Sequence, residues 1–326
     1  SIRDVSARTP GPWTTNLLGF SNDAELASDL RVPRYNSYYN LTAVHCGTGL
    51  ARLATMGDGW LEHCTSLTAL DCSGLTQLAT VGHNWLRDCG NLTSLDCSGL
   101  TELATVGDRW LCLCTSFTSL DCSGLGQLAI VGDRWLCQCT SLTALNCSGP
   151  SQLTKVGHSW LHDCTNLTEL DCSGLAQLAT VGHNWLRDCR NLTSLDYTGV
   201  TQLATVGDLW LCQCTSLTAL DCSRLGQLAT VGHSWLRDCA NLRSLDCSGL
   251  TQLATVGDLW LSDCTHLTAL DCSGLRQLTR VGHSWLPTLD CSGLGQLATV
   301  GDFWLCRCTS LTALNCSGLT QLTNVG

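Results

Sequence analysis

A 25-residue unit, written out most cleanly as LTALDCSGLTQLATVGHNWLRDCGN at residues 67–91, recurs from residue 41 to the end of the chain. This periodicity restricts the fold more than any other property, because a unit too short to close its own core must bury its apolar face against its neighbours. The outcome is a solenoid in which each unit adds one rung and contacts only the rungs beside it. Equivalent positions then form columns along the molecule, and function becomes a question of which columns are exposed.

Repeat starts fall at Leu41, Leu67, Leu92, Phe117, Leu142, Leu167, Leu192, Leu217, Leu242, Leu267, Leu286 and Leu311, which gives about 12 rungs with the last truncated. The first unit has one extra residue, within Cys46-Gly47-Thr48-Gly49, and the unit from Leu267 is six residues short around Trp285-Leu286-Pro287-Thr288-Leu289. Both irregularities should alter curvature locally without stopping the stack. Within a rung, strand alternation turns Leu70 and Cys72 inward and Ala69, Asp71 and Ser73 outward. Ser73-Gly74 supplies a turn, Leu78 and Val81 return to the interior, and Gly82 redirects the chain before Trp85, Leu86 and Cys89. That last spacing fits a short helical, 3-10 or irregular convex segment. The expected fold is an α/β repeat solenoid of the leucine-rich kind, a horseshoe or superhelix with a parallel sheet on its concave face. It forms one elongated domain over 41–326, and residues 1–40, with Pro10, Pro12, Trp13 and Pro33, are a candidate cap.

The run V-G-x-x-W-L-x-x-C-x-x-L at residues 81–92 resembles the I-G-x-x-A-F-x-x-C-x-x-L signature of BspA-like, treponemal-type leucine-rich repeats, including bacterial and protozoan surface-antigen versions. The resemblance covers roughly residues 41–326. The chain departs from it in having Trp where the signature has a smaller residue, and Cys at the last inward strand position. Proteins of that family are mostly surface or secreted adhesion and recognition proteins, so the resemblance implies a cell-surface or extracellular location and a protein ligand such as a host or matrix glycoprotein.

With 17 Lys+Arg against 27 Asp+Glu and a formal charge of -10, the chain lacks the basic stripe a nucleic-acid partner requires. No apolar run is long enough for a membrane span, and 1–40 contains no secretory signal pattern. A chain that begins at Ser1 and stops at Gly326 in mid-repeat reads as mature or partial, so missing targeting signals leave the compartment open. An uncovered final rung is an association hazard, and the natural chain is expected to continue.

The 25 cysteines fall into a strand ladder typified by Cys72, a convex ladder typified by Cys89, four extra C-x-C members (Cys112, Cys137, Cys212, Cys306) and Cys46. Tyr197 replaces a strand cysteine while Cys189 and Cys214 on its flanks remain, whereas obligatory disulfide partners should vanish together. Packing as small hydrophobes is therefore the expectation. The one cluster with metal or redox potential is Cys112, Cys114, Cys137 and Cys139, on successive rungs. No cofactor is expected.

Three further columns remain. Asp71, Asp96, Asp121, Asn146, Asp171, Asp196, Asp221, Asp246, Asp271, Asp290 and Asn315 should line the concave sheet. At a strand spacing of about 4.8 Å, neighbouring charges repel by roughly 0.9 kcal/mol in water and about 3.5 kcal/mol at an effective dielectric of 20. Shared protons, hydrogen bonds from the adjacent Ser, cations or a basic partner must relieve this. A second column alternates Asp and His (Asp58, His83, Asp108, Asp133, His158, His183, Asp208, His233, Asp258, His283, Asp302), which suggests ion pairs tying rungs together below about pH 7. A third, the tryptophans from Trp60 to Trp304, should stack inside; an exposed aromatic strip binding sugar or membrane is its alternative. Six N-x-(S/T) triplets, at Asn40, Asn91, Asn146, Asn166, Asn191 and Asn315, lean toward a secreted context.

No nucleophile sits beside a base in a unique pocket, so the chain is read as a non-catalytic recognition or adhesion module. Its binding surface is assigned to Asp71, Asp96, Asp121, Asp171, Asp196, Asp221, Asp246 and Asp271. An intracellular, cytoplasmic scaffold with reduced thiols is the alternative. A remoter one is ice binding by a column such as Thr68, Thr93, Thr118, Thr143, Thr168, Thr193 and Thr218.

Overall fold

The computed structural model describes residues 41–284, 289–290, 294–303, 314–315 and 318–325. The expected cap at 1–40 therefore lies outside the described residues, as do Trp285, Trp304 and Cys306. Residues 41–284, where every segment of the rung is described, make about ten turns.

Each turn contributes two short parallel strands rather than one. The first carries the L-D motif, as in Ala69–Asp71, Ser94–Asp96 and Glu169–Asp171, and these strands pair in groups of three, four, three and two. The second, as in Thr80–Val81 and Thr105–Val106, builds one unbroken sheet of 12 strands. The β-branched pair explains it: Val81 packs inward while Thr80 faces out. Two residues are too few to show an alternating pattern, so the sequence exposes only the first strand. The sheet runs through the short unit, where Arg280 pairs with Thr299, and the stack continues there.

The convex return is irregular. Among the described residues the only helix is the 3-10 turn Thr48–Leu50, so the helical component of the expected α/β fold is absent there. The reason lies in the backbone, which places alternate residues in the left-handed region: Asn84 (φ 62°), Leu86 (φ 56°) and Asp88 (φ 59°), and the equivalent residues in the turns that follow. Alternating hands cannot propagate a helix, and the N–H groups bond between turns instead. Asn84 N–H donates to Asp108 O (2.7 Å), Asp88 N–H to Cys112 O (2.8 Å), and Leu86 N–H back to Trp60 O (3.1 Å). Glycine at the head of this segment is a matter of contact. A Cβ on Gly107 would lie 2.7 Å from the carbonyl carbon of Gly82 and the nitrogen of His83 on the previous turn.

One continuous core runs the length of the stack, filled by Leu70, Cys72, Leu75, Leu78, Val81, Trp85, Leu86, Cys89 and their equivalents. The indoles from Trp85 to Trp260 have no exposed surface and stack face to face, with centroids 5.2–5.4 Å apart and planes within 3°. An exposed aromatic strip is thereby ruled out for these residues. The convex cysteines do more than fill space. Cys89 S–H donates to Leu61 O (3.0 Å), Cys114 to Leu86 O (3.1 Å) and Cys139 to Leu111 O (2.9 Å), and the pattern continues to Cys264. Each acceptor is the carbonyl of a left-handed leucine, so the thiol ladder ties every turn to the buried backbone of the turn before it. Every described cysteine is buried, and no disulfide links the two ladders between Cys46 and Cys264.

Candidate functional site

The outward positions of the first strands form the candidate surface. Asp96, Asp121, Asp171, Asp196, Asp221 and Asp271 are exposed, Asp71 and Asp246 half-buried, and parallel pairing sets Asp71 beside Asp96, Asp171 beside Asp196, and Asp221 beside Asp246. The neighbouring outward position is mostly Ala or Ser, as in Ala69, Ser94 and Ser119, which keeps the face shallow.

Each carboxylate is fixed by the chain that follows it. Asp71 Oδ1 accepts the Ser73 N–H at 2.8 Å, and the same bond recurs at Asp96–Ser98, Asp121–Ser123, Asp171–Ser173, Asp196–Thr198, Asp221–Ser223, Asp246–Ser248 and Asp271–Ser273. This is the Asx turn, in which a short side chain imitates a backbone carbonyl. At Asp71, Asp221 and Asp271 it stabilises the charged carboxylate. Burial acts to raise the Asp71 carboxyl, yet hydrogen bonds from the Ser73 hydroxyl and N–H, with His45 alongside, outweigh it and hold the group below the ordinary carboxylate range. The Ser223 hydroxyl and N–H, helped by Arg224, lower Asp221, and Ser273 lowers Asp271 in the same way. Sharing of protons is thus not the device at these three positions: they are ionised at neutral pH. Asn146 interrupts the column, keeps the turn through Ser148 N–H (3.0 Å), and donates its amide to Asp121 Oδ1 (2.9 Å). Asp290 and Asn315 occupy paired first strands, and their side chains lie outside the described residues.

In the Asp/His column on the convex side, His–Asp contacts between rungs, Nδ1 to Oδ2 at 3.2–3.5 Å, stand beside a backbone relay. His83 N–H donates to Asp58 Oδ1 (2.8 Å), Asp108 N–H to His83 Nδ1 (3.0 Å) and His158 N–H to Asp133 Oδ1 (2.8 Å), each rung accepting from the next. Aspartate and histidine interchange because either presents an acceptor at the same reach. His158 accepts from His183 N–H (2.9 Å) and stacks on that ring. At His83 and His183 a carboxylate also lies within 3.2 Å of the same nitrogen.

The four thiols of the cluster Cys112, Cys114, Cys137 and Cys139 do not converge. Cys114 and Cys139 point inward to leucine carbonyls, whereas Cys112 and Cys137 occupy the neighbouring outer column, where Cys137 faces His162. Among the described residues no group of three or more His, Cys, Asp or Glu is arranged to hold a metal. His162, one rung on in the same column, was not singled out by its spacing. Its Nδ1 lies 3.6 Å from Cys137 Sγ. The Thr68-type hydroxyls are likewise engaged, Thr93 donating to Thr68 O (3.0 Å) and Thr193 to Thr168 O (3.0 Å), so that column presents no free hydroxyl array at these rungs.

Two strands per turn, a parallel ladder and a cysteine- and leucine-lined core define a tandem-repeat solenoid of the leucine-rich class. The sequence matches the family described as BspA type leucine rich repeat region (6 copies) over residues 34–168, 105–219 and 180–286, and the chain belongs to that family. No curated protein matches the sequence. Similar solved structures include a leucine-rich repeat protein from Bacteroides ovatus, 14% identical, covering 89% of this chain and 84% of that one, with a TM-score of 0.47. A leucine rich cell surface protein from Faecalibacterium prausnitzii is 14% identical over 87% of this chain and 78% of its own, at a TM-score of 0.44. The leucine-rich repeat protein of Treponema pallidum is 18% identical over 54% and 77%, at 0.42. Leucine-rich repeat families are typically non-catalytic protein-interaction modules. No helix among the described residues is long and apolar enough to cross a membrane.

Proposed function

We propose that this protein is a surface-displayed or secreted recognition module that binds a basic protein ligand through the first-strand face, with Asp71, Asp96, Asp121, Asp171, Asp196, Asp221, Asp246 and Asp271 as the contact column. The observation that carries the reading is the Asx turn at each of these residues. It commits Oδ1 to the backbone and holds a regular row of charge in place before any partner arrives. A pre-ordered row loses little side-chain entropy on binding, and its field steers a cationic surface to it. Backbone groups of the same face are already paired within the stack, so recognition falls to side chains. The membership of the family and the net charge of -10 support the same reading.

The test uses Asp171→Asn, Asp196→Asn and Asp221→Asn together. Asn146 shows that asparagine keeps the turn while removing the charge, so folding and charge are separated. Binding to immobilised matrix proteins of basic and neutral character is then compared with the parent. The expected result is weakened binding to the basic probes and a flatter salt dependence. Unchanged binding would remove this face as the contact surface.

A further inference from the structure

One convex column is unlike the others in composition: Glu62, Arg87, Cys112, Cys137, His162 and Arg187 succeed one another on consecutive rungs. Arg87 is paired with Glu62 at 2.8 Å on one side of the cysteines. On the other, His162 presents Nδ1 to Cys137 Sγ and Nε2 to Asp188 Oδ2, at 3.6 and 3.9 Å. Asp188 is itself buried and held by Arg187 (3.2 Å) and Arg190 (3.1 Å). The two rungs are separated by the stacking distance of Trp110 on Trp135, 5.4 Å. Disulfides span Cα separations of about 4.4–6.8 Å, so joining Cys112 to Cys137 requires no change in rung spacing.

We propose that Cys112 and Cys137 form a peroxide-sensitive dithiol, oxidised by hydrogen peroxide to a disulfide between adjacent rungs, with His162 accepting the Cys137 proton. Cys112 is the attacking sulfur. Its hydrogen bond from Cys137, aided by the Arg87, Arg134 and Arg109 guanidiniums, outweighs burial and holds its thiol below the ordinary value. The side-chain interaction with Cys112, together with burial, pushes Cys137 up. Burial and the Arg187 charge lower His162, leaving it neutral and able to take a proton at Nδ1.

The Cys112 thiolate attacks one peroxide oxygen; the O–O bond breaks, a sulfenic acid forms, and hydroxide leaves to become water. Cys137 then passes its proton to His162 and attacks the Cys112 sulfur. The S–O bond breaks, and the departing hydroxide takes up a proton to become a second water. Two thiols and one peroxide thus give one disulfide and two waters. Peroxide is small enough to reach residues that are 3% and 5% exposed. Cys64 and Cys89 form the other neighbouring pair with one thiol lowered and one raised, but both are fully buried and Cys89 is bonded to Leu61 O. Cys114 is fully buried, bonded to Leu86 O, and pushed up to about 12 by burial. Cys212 stands in the same outer column between Arg187 and Arg237 with no thiol beside it, and burial raises it to about 11.

The test treats the reduced full chain with roughly one equivalent of hydrogen peroxide, caps remaining thiols with N-ethylmaleimide, and maps disulfides by mass spectrometry. Cys112–Cys137 is expected to be the first bridge, forming at least about tenfold faster than Cys114 or Cys212 is lost. Cys137→Ser should trap a sulfenic acid at Cys112 that labels with dimedone. His162→Gln should slow closure while leaving sulfenic acid formation unchanged. Far-UV circular dichroism checks that each variant is folded. Oxidation of Cys212 at the same rate, a first bridge elsewhere, or no dimedone adduct in folded Cys137→Ser overturns the proposal.

Discussion

A carboxylate that accepts the N–H two residues ahead cannot be removed without freeing a turn, and this separates two roles that the sequence left merged in the Asp column. Asp171→Ala deletes both charge and cap, and each rung altered so should lose about 0.5–1.5 kcal/mol in urea unfolding. Asp171→Asn should lose much less, as Asn146 does the same work in the parent chain. The pH sense follows from the direction of the shifts. Asp71, Asp221 and Asp271 are lowered in the folded protein, so their contribution is complete above the unfolded value of about 3.9 and disappears as pH falls through the folded values. Thermal melts should therefore hold a steady midpoint from neutral pH to about 5 and fall below about 4. Asparagine at all three positions should flatten that acid limb. The presence and spacing of these aspartates were legible in the sequence. Their engagement with Ser N–H was one option among several, because a hydrogen bond depends on the path of the turn and not on the residue pair alone.

At the scale of the element, the first strand and its inward Leu and Cys could be read from alternation, and the tryptophan stack from periodicity. The second strand and the irregular return could not. Thr80–Val81 is too short to carry a pattern, and a left-handed residue at Leu86 runs against intrinsic preference. That preference can be tested. Leu209 has φ 63° where Asn84 and Asn184 sit in equivalent rungs, and asparagine tolerates the left-handed region better than leucine. Leu209→Asn should therefore raise stability by about 0.5–1 kcal/mol, measured by chemical denaturation. The indoles give an opposite case. Trp160→Ala empties a slot between two stacked rings and should cost about 3–5 kcal/mol. Trp160→Phe should cost less than alanine does, since it keeps an aromatic ring in the column and removes an indole N–H that has no hydrogen-bond partner.

Across the whole molecule, stability is a sum over rungs and the contacts between nearest neighbours. Excising residues 167–191, one full unit, joins Asn166 to Leu192 in the order found at Asn191–Leu192 in every respect but number. The shortened protein should keep the same far-UV circular dichroism per residue and unfold with a midpoint close to the parent's; loss of the folded signal would contradict a nearest-neighbour stack. The sequence by itself determined the period, the inward Leu, Cys and Trp columns and the outward acidic one, because a repeated unit allows each position only one environment. Tertiary structure decided the rest: the unbroken second sheet, the left-handed return, the backbone acceptors of the cysteine and Asp/His columns, and the meeting of Cys112, Cys137 and His162. Those features consist of bonds between residues about one repeat apart, and such bonds exist only when neighbouring turns have been stacked.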